Sequence, residues 1–441
     1  MRKRGLVVIW GIFWIMAAIP VLHAGGYEFC GLGARAVSMG GAFIGLADDW
    51  TAIYWNPAGL ATLHKRKAGI SIGYPIIKFT DKNSIANGTD GPFGFAYPTE
   101  PSRFNKEKVR GDDYLIGVGG YQRNNNFTIG AGLYTPNAYA FEWEDRMKDA
   151  SSNADIYGSY FNKLFILVSN ISLSKKLLPE LSIGTGLNLV YGSLEIKAKK
   201  EYSHPTLPAL YNYIFDSNMR GNGMGVEGIL GLLFEPGANI RIGGVYRSGS
   251  ILSLAGSAEI QSPIGTSTTP PPLLISVVEK SDYTQKFVYP ATLGMGIAYR
   301  INPKLTITGE WVRTYWVDMK EDVDFEIDPG TGTLLLKDVE PKRSNWDNTD
   351  RLRIGLEFRA NEQWALRIGA FSDPSPVPTK GVDFAKIIDV DKKYISLGVG
   401  YERDSWMCDI CYLHNCDTET LNGVEYGWGS DTYIIDCQYK F

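Results

Sequence analysis

Apolar residues recur at every second position through most of this chain, in runs separated by connections that are alternately short and long. Leu181, Ile183, Leu187, Leu189 and Tyr191 fall on one face, against Ser182, Gly184, Gly186, Asn188 and Gly192 on the other. The same holds for Leu293, Met295, Ile297 and Tyr299, and for Leu352, Ile354, Leu356 and Phe358. A soluble sandwich also alternates, so the period alone leaves two β architectures open. Connection lengths decide between them. Short turns lie near 122–126, 174–180, 235–239, 300–304, 359–363 and 401–405. Long polar or mixed segments lie near 81–113, 137–160, 199–221, 255–281, 321–345, 374–391 and 415–430. Outer-membrane barrels have short turns at one end and long loops at the other. The expected fold is therefore all-β, a transmembrane antiparallel β-barrel of about fourteen strands.

The last strand points the same way. Tyr433, Ile435, Cys437, Tyr439 and Phe441 alternate with Thr432, Ile434, Asp436, Gln438 and Lys440, and the final residue is aromatic. This resembles the terminal signal by which barrels are recognised for insertion. It implies the barrel-assembly machinery and outer-membrane lipid as partners. Tyr121, Tyr246, Tyr299, Trp346, Trp364 and Trp406 near strand ends suit interfacial girdles, although aromatic residues are also good strand formers.

The first residues read as an export signal. Arg2, Lys3 and Arg4 precede the apolar run Gly5–Leu22, and small residues follow at Ala24-Gly25-Gly26. Cleavage is expected after Ala24, with a retained anchor as the alternative. Removing residues 1–24 takes away three basic residues and no acidic one, moving the formal charge from −4 to −7. An acidic chain without a basic run excludes nucleic acid as an expected partner. Length alone would allow about three soluble domains, but no linker or composition break divides the chain. Four of the five cysteines lie in the last 34 residues, which is no small disulfide scaffold.

Residues 25–66 do not alternate. Gly31 to Phe43 is small and glycine-rich, and Ala47-Asp48-Asp49-Trp50 is expected to open a short helix. Such a segment ahead of a barrel wide enough to hold a lumen suggests a plug. The expected organisation is a signal peptide at 1–24, an N-terminal hatch at 25–66 and a barrel at 67–441.

Asp48-Asp49-Trp50-Thr51-Ala52-Ile53-Tyr54-Trp55-Asn56-Pro57-Ala58-Gly59-Leu60 resembles the hatch of the outer-membrane long-chain fatty-acid and aromatic-hydrocarbon transporter family (FadL/TodX-like), which carries an Asn-Pro-Ala signature. The likeness continues at Tyr246-Arg247-Ser248 and at Arg351–Pro378, where Phe371-Ser372-Asp373-Pro374-Ser375-Pro376-Val377-Pro378 follows a strand. The resemblance implies a fourteen-strand barrel closed by its hatch. It also implies ligand capture between outer loops, an interior pocket and sideways release through a wall opening. Val190-Tyr191-Gly192-Ser193 places Ser193 where fatty-acid members carry a carboxylate-binding Arg. The stretch Gly33-Ala34-Arg35-Ala36 to Gly40-Gly41-Ala42-Phe43 also resembles a related branch serving secretion or surface assembly.

Few residues carry chemistry. Gly69-Ile70-Ser71-Ile72-Gly73 spells a nucleophile elbow, but Ser71 sits within an alternating strand rather than at a strand-to-helix turn. The glycines at 31–36 lack the preceding strand of a dinucleotide site. Cys408 and Cys411 point to opposite faces of one strand, and His64, His204 and His414 are scattered, so neither set suits a metal. No cofactor and no enzymatic activity are expected. Cys408 and Cys437 are expected to be cross-strand neighbours on the lipid face, as unbonded thiols.

Asn56, Pro57 and Ala58, with Asp48 and Asp49, are candidate gate or hatch residues. Pro57 fixes φ and disfavours helix at Asn56, so the triplet equally suits a plain turn. Arg247, Arg353 and Arg367 lie on the lumenal parity. They either bind an anionic head group or pair with Glu357, Glu310, Asp48 or Asp49. Leu207, Leu210, Tyr211, Tyr213, Ile214 and Phe215, in the 199–221 loop, form a candidate capture surface or pack on neighbouring loops. The function expected from these features is an outer-membrane channel for passive uptake of a hydrophobic small molecule; the alternative is a structural or secretion-assembly barrel.

Overall fold

In a computed structural model, described for residues 30–441 apart from 65, 82–105, 112–113, 149–154, 204–212, 266–273, 317–319, 327–335, 337–338, 344–345, 377–389 and 422–423, the chain forms one antiparallel sheet closed on itself. Fourteen staves make its wall among the described residues. β1 (Lys67–Asp81) is followed by a stave made of β2 (Lys106–Gly111) and β3 (Leu115–Arg123). Next come β4 (Thr128–Lys148), β5 (Asp155–Leu178), β6 (Leu181–Ser203) and β7 (Tyr213–Gly237).

Four interrupted staves follow. They are β8 (Ile240–Arg247) with β9 (Ser250–Gly265), β10 (Leu274–Tyr289) with β11 (Thr292–Asn302), β12 (Leu305–Thr314) with β13 (Lys320–Phe325), and β14 (Val339–Arg343) with β15 (Thr349–Arg359). β16 (Trp364–Asp373), β17 (Lys392–Arg403), β18 (Trp406–Leu421) and β19 (Val424–Lys440) complete the wall. β19 returns to β1, from Lys67 opposite Lys440 to Asp81 opposite Tyr426, so the described wall has no free edge there.

The wall is apolar outside and polar inside. Ile171, Leu187, Met224, Leu230 and Ile410 stand on the exposed face, each more than half exposed. Asn170, Asn188, Glu227, Arg353 and Asp409 are buried within. A soluble sandwich does the reverse, so lipid is the medium that suits this outer surface. The expected split of Leu187, Leu189, Ile354 and Leu356 outward from Gly186, Asn188, Arg353 and Gly355 inward is the one observed.

The long connections are shorter than the hydropathy pattern indicates. β4 and β5 run into 137–160, β6 and β7 into 199–221, and β9 and β10 into 255–281. In the ladder of β6, Glu195, Lys197, Lys199 and Glu201 continue the outward parity with charged side chains. The alternation reports contact with lipid, whereas backbone pairing continues past the membrane, where polar residues serve on both faces. Of the expected capture loop, Tyr213, Ile214 and Phe215 are therefore strand residues of β7. Leu207, Leu210 and Tyr211 lie outside the described residues, as does the 1–24 segment.

Candidate functional site

The N-terminal segment, residues 30–63, is buried against the inner face of the wall. It contains a helical turn at Ala34–Ser38, another at Ala52–Trp55 and a 3-10 turn at Pro57–Thr62. The helix expected to open at Ala47 begins five residues later, because Asp49 Oδ1 takes the Thr51 N–H and hydroxyl at 2.8 and 2.6 Å and closes a turn first. Inward-facing wall residues opposite the segment are glycines where the approach is tightest. Gly69 and Gly119 lie under the Trp50 indole, Gly184 and Gly231 under Asn56-Pro57-Ala58, and Gly355 and Gly369 under Met39-Gly40. A Cβ at any of the six would collide with the segment.

Asn56 is fully buried. Its Nδ2 donates to the Ile44 carbonyl (3.0 Å) and to the Leu232 carbonyl of β7 (2.9 Å), while Oδ1 accepts from Ala58 N (3.1 Å). Pro57 then starts the 3-10 turn, where a missing N–H costs nothing. The triplet is thus a capped turn, and one of its bonds crosses to the wall.

Charged groups fasten the opposite side. Arg35 reaches Asp48 (2.5 Å) on its own segment and Glu357 (2.9 Å) on β15. Glu357 also accepts from Arg367 (2.7 Å), whose other arm meets Asp409 (2.6 Å) on β18. Arg353 pairs with Glu310 (2.7 Å), and the second oxygen of Glu310 accepts from Phe43 N and Ile44 N, both at 2.8 Å. Burial opposes the charge on Asp48, but Arg35 overrides it and holds that carboxyl below its usual range. Asp49, fully buried and farther from Arg35 (3.6 Å), is pushed upward by burial.

The three candidate arginines consequently part company. Arg353 and Arg367 are spent in buried pairs that tie the segment to the wall or the wall to itself. Arg247 lies elsewhere, donating to the Tyr54 carbonyl, stacked over the Tyr54 ring (4.8 Å) and 3.7 Å from Glu227.

Beside Tyr54 the inner wall changes character. On β5 the inward residues run from polar Ser174, Ser172 and Asn170 near the short turn to apolar Val168, Ile166 and Leu164. Val190, Leu252, Leu254, Phe287, Tyr289 and Trp316 continue that apolar band around the lumen, with Tyr54, Leu194 and Trp346 packed against it. Sequence reading missed this band. Its signal is Leu164-Phe165-Ile166-Leu167-Val168, apolar on both parities where a purely polar lumen calls for one. A second apolar cluster, of Met219, Ala258, Ile260, Tyr283, Val323 and Phe325 on the longer strand extensions and Leu336 between β13 and β14, has Phe215 packed against it.

The wall is irregular next to Tyr54. The β4–β5 register shifts between Tyr134 and Asn137, and Thr135 Oγ1 accepts from Ile116 N at 2.7 Å where a backbone carbonyl would ordinarily serve. Pro136 offers no donor. Tyr134 packs edge-on against Tyr54, ring centres 5.5 Å apart.

A closed, lipid-facing barrel with a partly apolar interior and an N-terminal segment seated inside it is an outer-membrane transport barrel. The chain belongs to the family of outer membrane protein transport proteins (OMPP1/FadL/TodX), whose pattern matches residues 24–417. An outer membrane protein of Neisseria meningitidis serogroup B is 26% identical over 435 residues, covering 94% of this chain and 91% of that protein. The long-chain fatty acid transport protein of Escherichia coli K12 is 23% identical over 343 residues, covering 72% and 71%. In fold, the chain resembles a Pseudomonas aeruginosa FadL homologue (TM-score 0.70, 16% identity, 96% of this chain and 99% of that one). It also resembles the P. putida toluene transporter TodX (TM-score 0.69, 16% identity, 94% and 99%).

Proposed function

We propose that this chain lets a hydrophobic small molecule, a long-chain fatty acid or a hydrocarbon, cross the outer membrane passively, with residues 25–66 acting as the hatch. The observation that carries the reading is the apolar band from Leu164 to Trp316 beside Tyr54, inside a lumen whose lower wall is polar. The band packs against Trp50, Ile53 and Leu60 of the seated segment, so a small apolar solute passing the segment would meet apolar side chains on both sides. Capture falls to the outer cluster around Phe215, together with Leu207, Leu210 and Tyr211, and release to the Thr135–Pro136 irregularity in β4. Arg247 is the cation best placed for an acidic head group, because it shares Tyr54 with the band. No covalent step enters this scheme. Outer-membrane lipid and the barrel-assembly machinery complete the set of partners.

Native mass spectrometry of the purified barrel should find a co-purifying lipid or hydrocarbon. In a binding assay with long-chain fatty acid and toluene as competitors, Ile166→Asn with Leu254→Asn should abolish binding. Failure of either ligand class to bind the unaltered barrel, combined with recovery of a secretion partner, would shift the assignment to an assembly role.

A further inference from the structure

The final hairpin brings two cysteines face to face. Cys408 of β18 and Cys437 of β19 are register partners, and both stand on the outward parity between the pairs Trp406–Tyr439 and Ile410–Ile435. Their sulfurs touch at 2.6 Å, and both side chains are half-buried. Opposed residues of an antiparallel ladder have Cα atoms about 4.5 or 5.5 Å apart, and both spacings lie within the range that a disulfide spans. The unbonded thiols expected from the separation of opposed Cβ atoms are what the structure holds, with the two sulfurs facing each other across the ladder.

Position supports the pairing. Cys408 lies three residues beyond the short turn at 404–405, so the pair sits near the end of the barrel that short turns place in the periplasm. Disulfides form and persist in that compartment. The other three cysteines cannot substitute. Cys411 is on the inward parity, fully buried beside Cys30 in a separate cluster, and Cys416 is exposed farther along β18.

We infer that Cys408 and Cys437 are oxidised to a cross-strand disulfide by a periplasmic protein disulfide donor. The donor's disulfide accepts two electrons and becomes a dithiol; the two cysteine thiols lose two protons and form the S–S bond. The product fixes the register of β18 against the strand that closes the barrel onto β1. A one-residue slip there would exchange the lipid and lumen faces of β19.

The test is alkylation with N-ethylmaleimide of the full chain extracted from outer membranes under denaturing conditions, followed by intact mass measurement. Three adducts are expected without reductant and five after reduction, with peptides containing Cys408 and Cys437 linked in the digest. Cys408→Ser with Cys437→Ser should give three adducts in both conditions. Five adducts without reductant, or a linkage joining any other pair, would overturn the assignment.

Discussion

Asn56 and Leu232 are joined by a 2.9 Å hydrogen bond from a side-chain amide on the buried segment to a backbone carbonyl of the wall. Through it one residue holds the Pro57 turn, the Ile44 loop and β7 together. Asn56→Ala leaves buried acceptors without their donor, at a cost of about 1–3 kcal/mol. The segment should loosen while the barrel persists. Single-channel recordings in planar bilayers should show more frequent or larger openings than in the unaltered protein, and deletion of residues 25–66 should give the largest pore. Recordings indistinguishable from the unaltered protein in both cases would refute a closing role.

The wall glycines make a sharper test, because they alter no hydrogen-bonding side chain. A Cβ at Gly369 meets the backbone of Gly40, whereas a Cβ at Gly244 has nothing within 4 Å. Gly369→Ala should therefore displace the segment and raise conductance, with heat-modifiable migration of the barrel retained. Gly244→Ala should do neither. Similar behaviour of the two variants would mean that the segment does not depend on this seat.

The lipid-facing surface predicts an asymmetry at Leu187, which is 60% exposed on the outer face. Arg near the bilayer midplane costs about 2–4 kcal/mol. Leu187→Arg should lower the yield of folded barrel in vesicles severely, while Leu187→Ala should fold nearly as well as the parent. Equal folding of both would place Leu187 away from lipid.

The two adjacent aspartates should respond oppositely. Arg35 holds Asp48 below its ordinary value of 3.8, so its stabilising charge is fully present above that value and is lost as pH falls through the lowered one. Asp49 is raised above 3.8, so its contribution is best below that value and is lost as pH rises through the raised one. At pH 7, Asp48→Asn should lower the melting temperature of the segment-dependent transition, and Asp49→Asn should leave it unchanged or raise it. Scanning calorimetry distinguishes these outcomes; a larger loss for Asp49→Asn would reverse the roles given to the pair.

Much of this barrel was legible in the sequence because lipid imposes a strict period. Leu187 and Asn188 could be sent to opposite faces from alternation alone, and turn composition located the short turns after Arg123, Leu178 and Gly237, although β5 and β7 run several residues into the segments it marked. The upper halves of β5, β6 and β7 were not legible, since Lys197 and Glu201 look the same on a water-exposed strand as in a loop. Arg353 and Arg367 were correctly placed in the lumen with Glu310 and Glu357 among their possible partners, but choosing that pairing over a ligand depends on contacts between residues 10 to 43 positions apart along the chain. The apolar band escaped because Leu164, Ile166 and Val168 blend with outward Phe165 and Leu167 into one run. Period analysis cannot tell which half of such a run faces inward.

The absence of side chains beneath Trp50, Pro57 and Gly40 has a bearing on heredity. The inner surface is cast to the outline of one particular segment, so the two parts of the chain cannot drift independently. A bulkier residue in either half closes the space the other half occupies. A segment transplanted from a relative would need its host's glycines moved with it, and chimaeras between distant members should fail at this seam before they fail at the lipid surface.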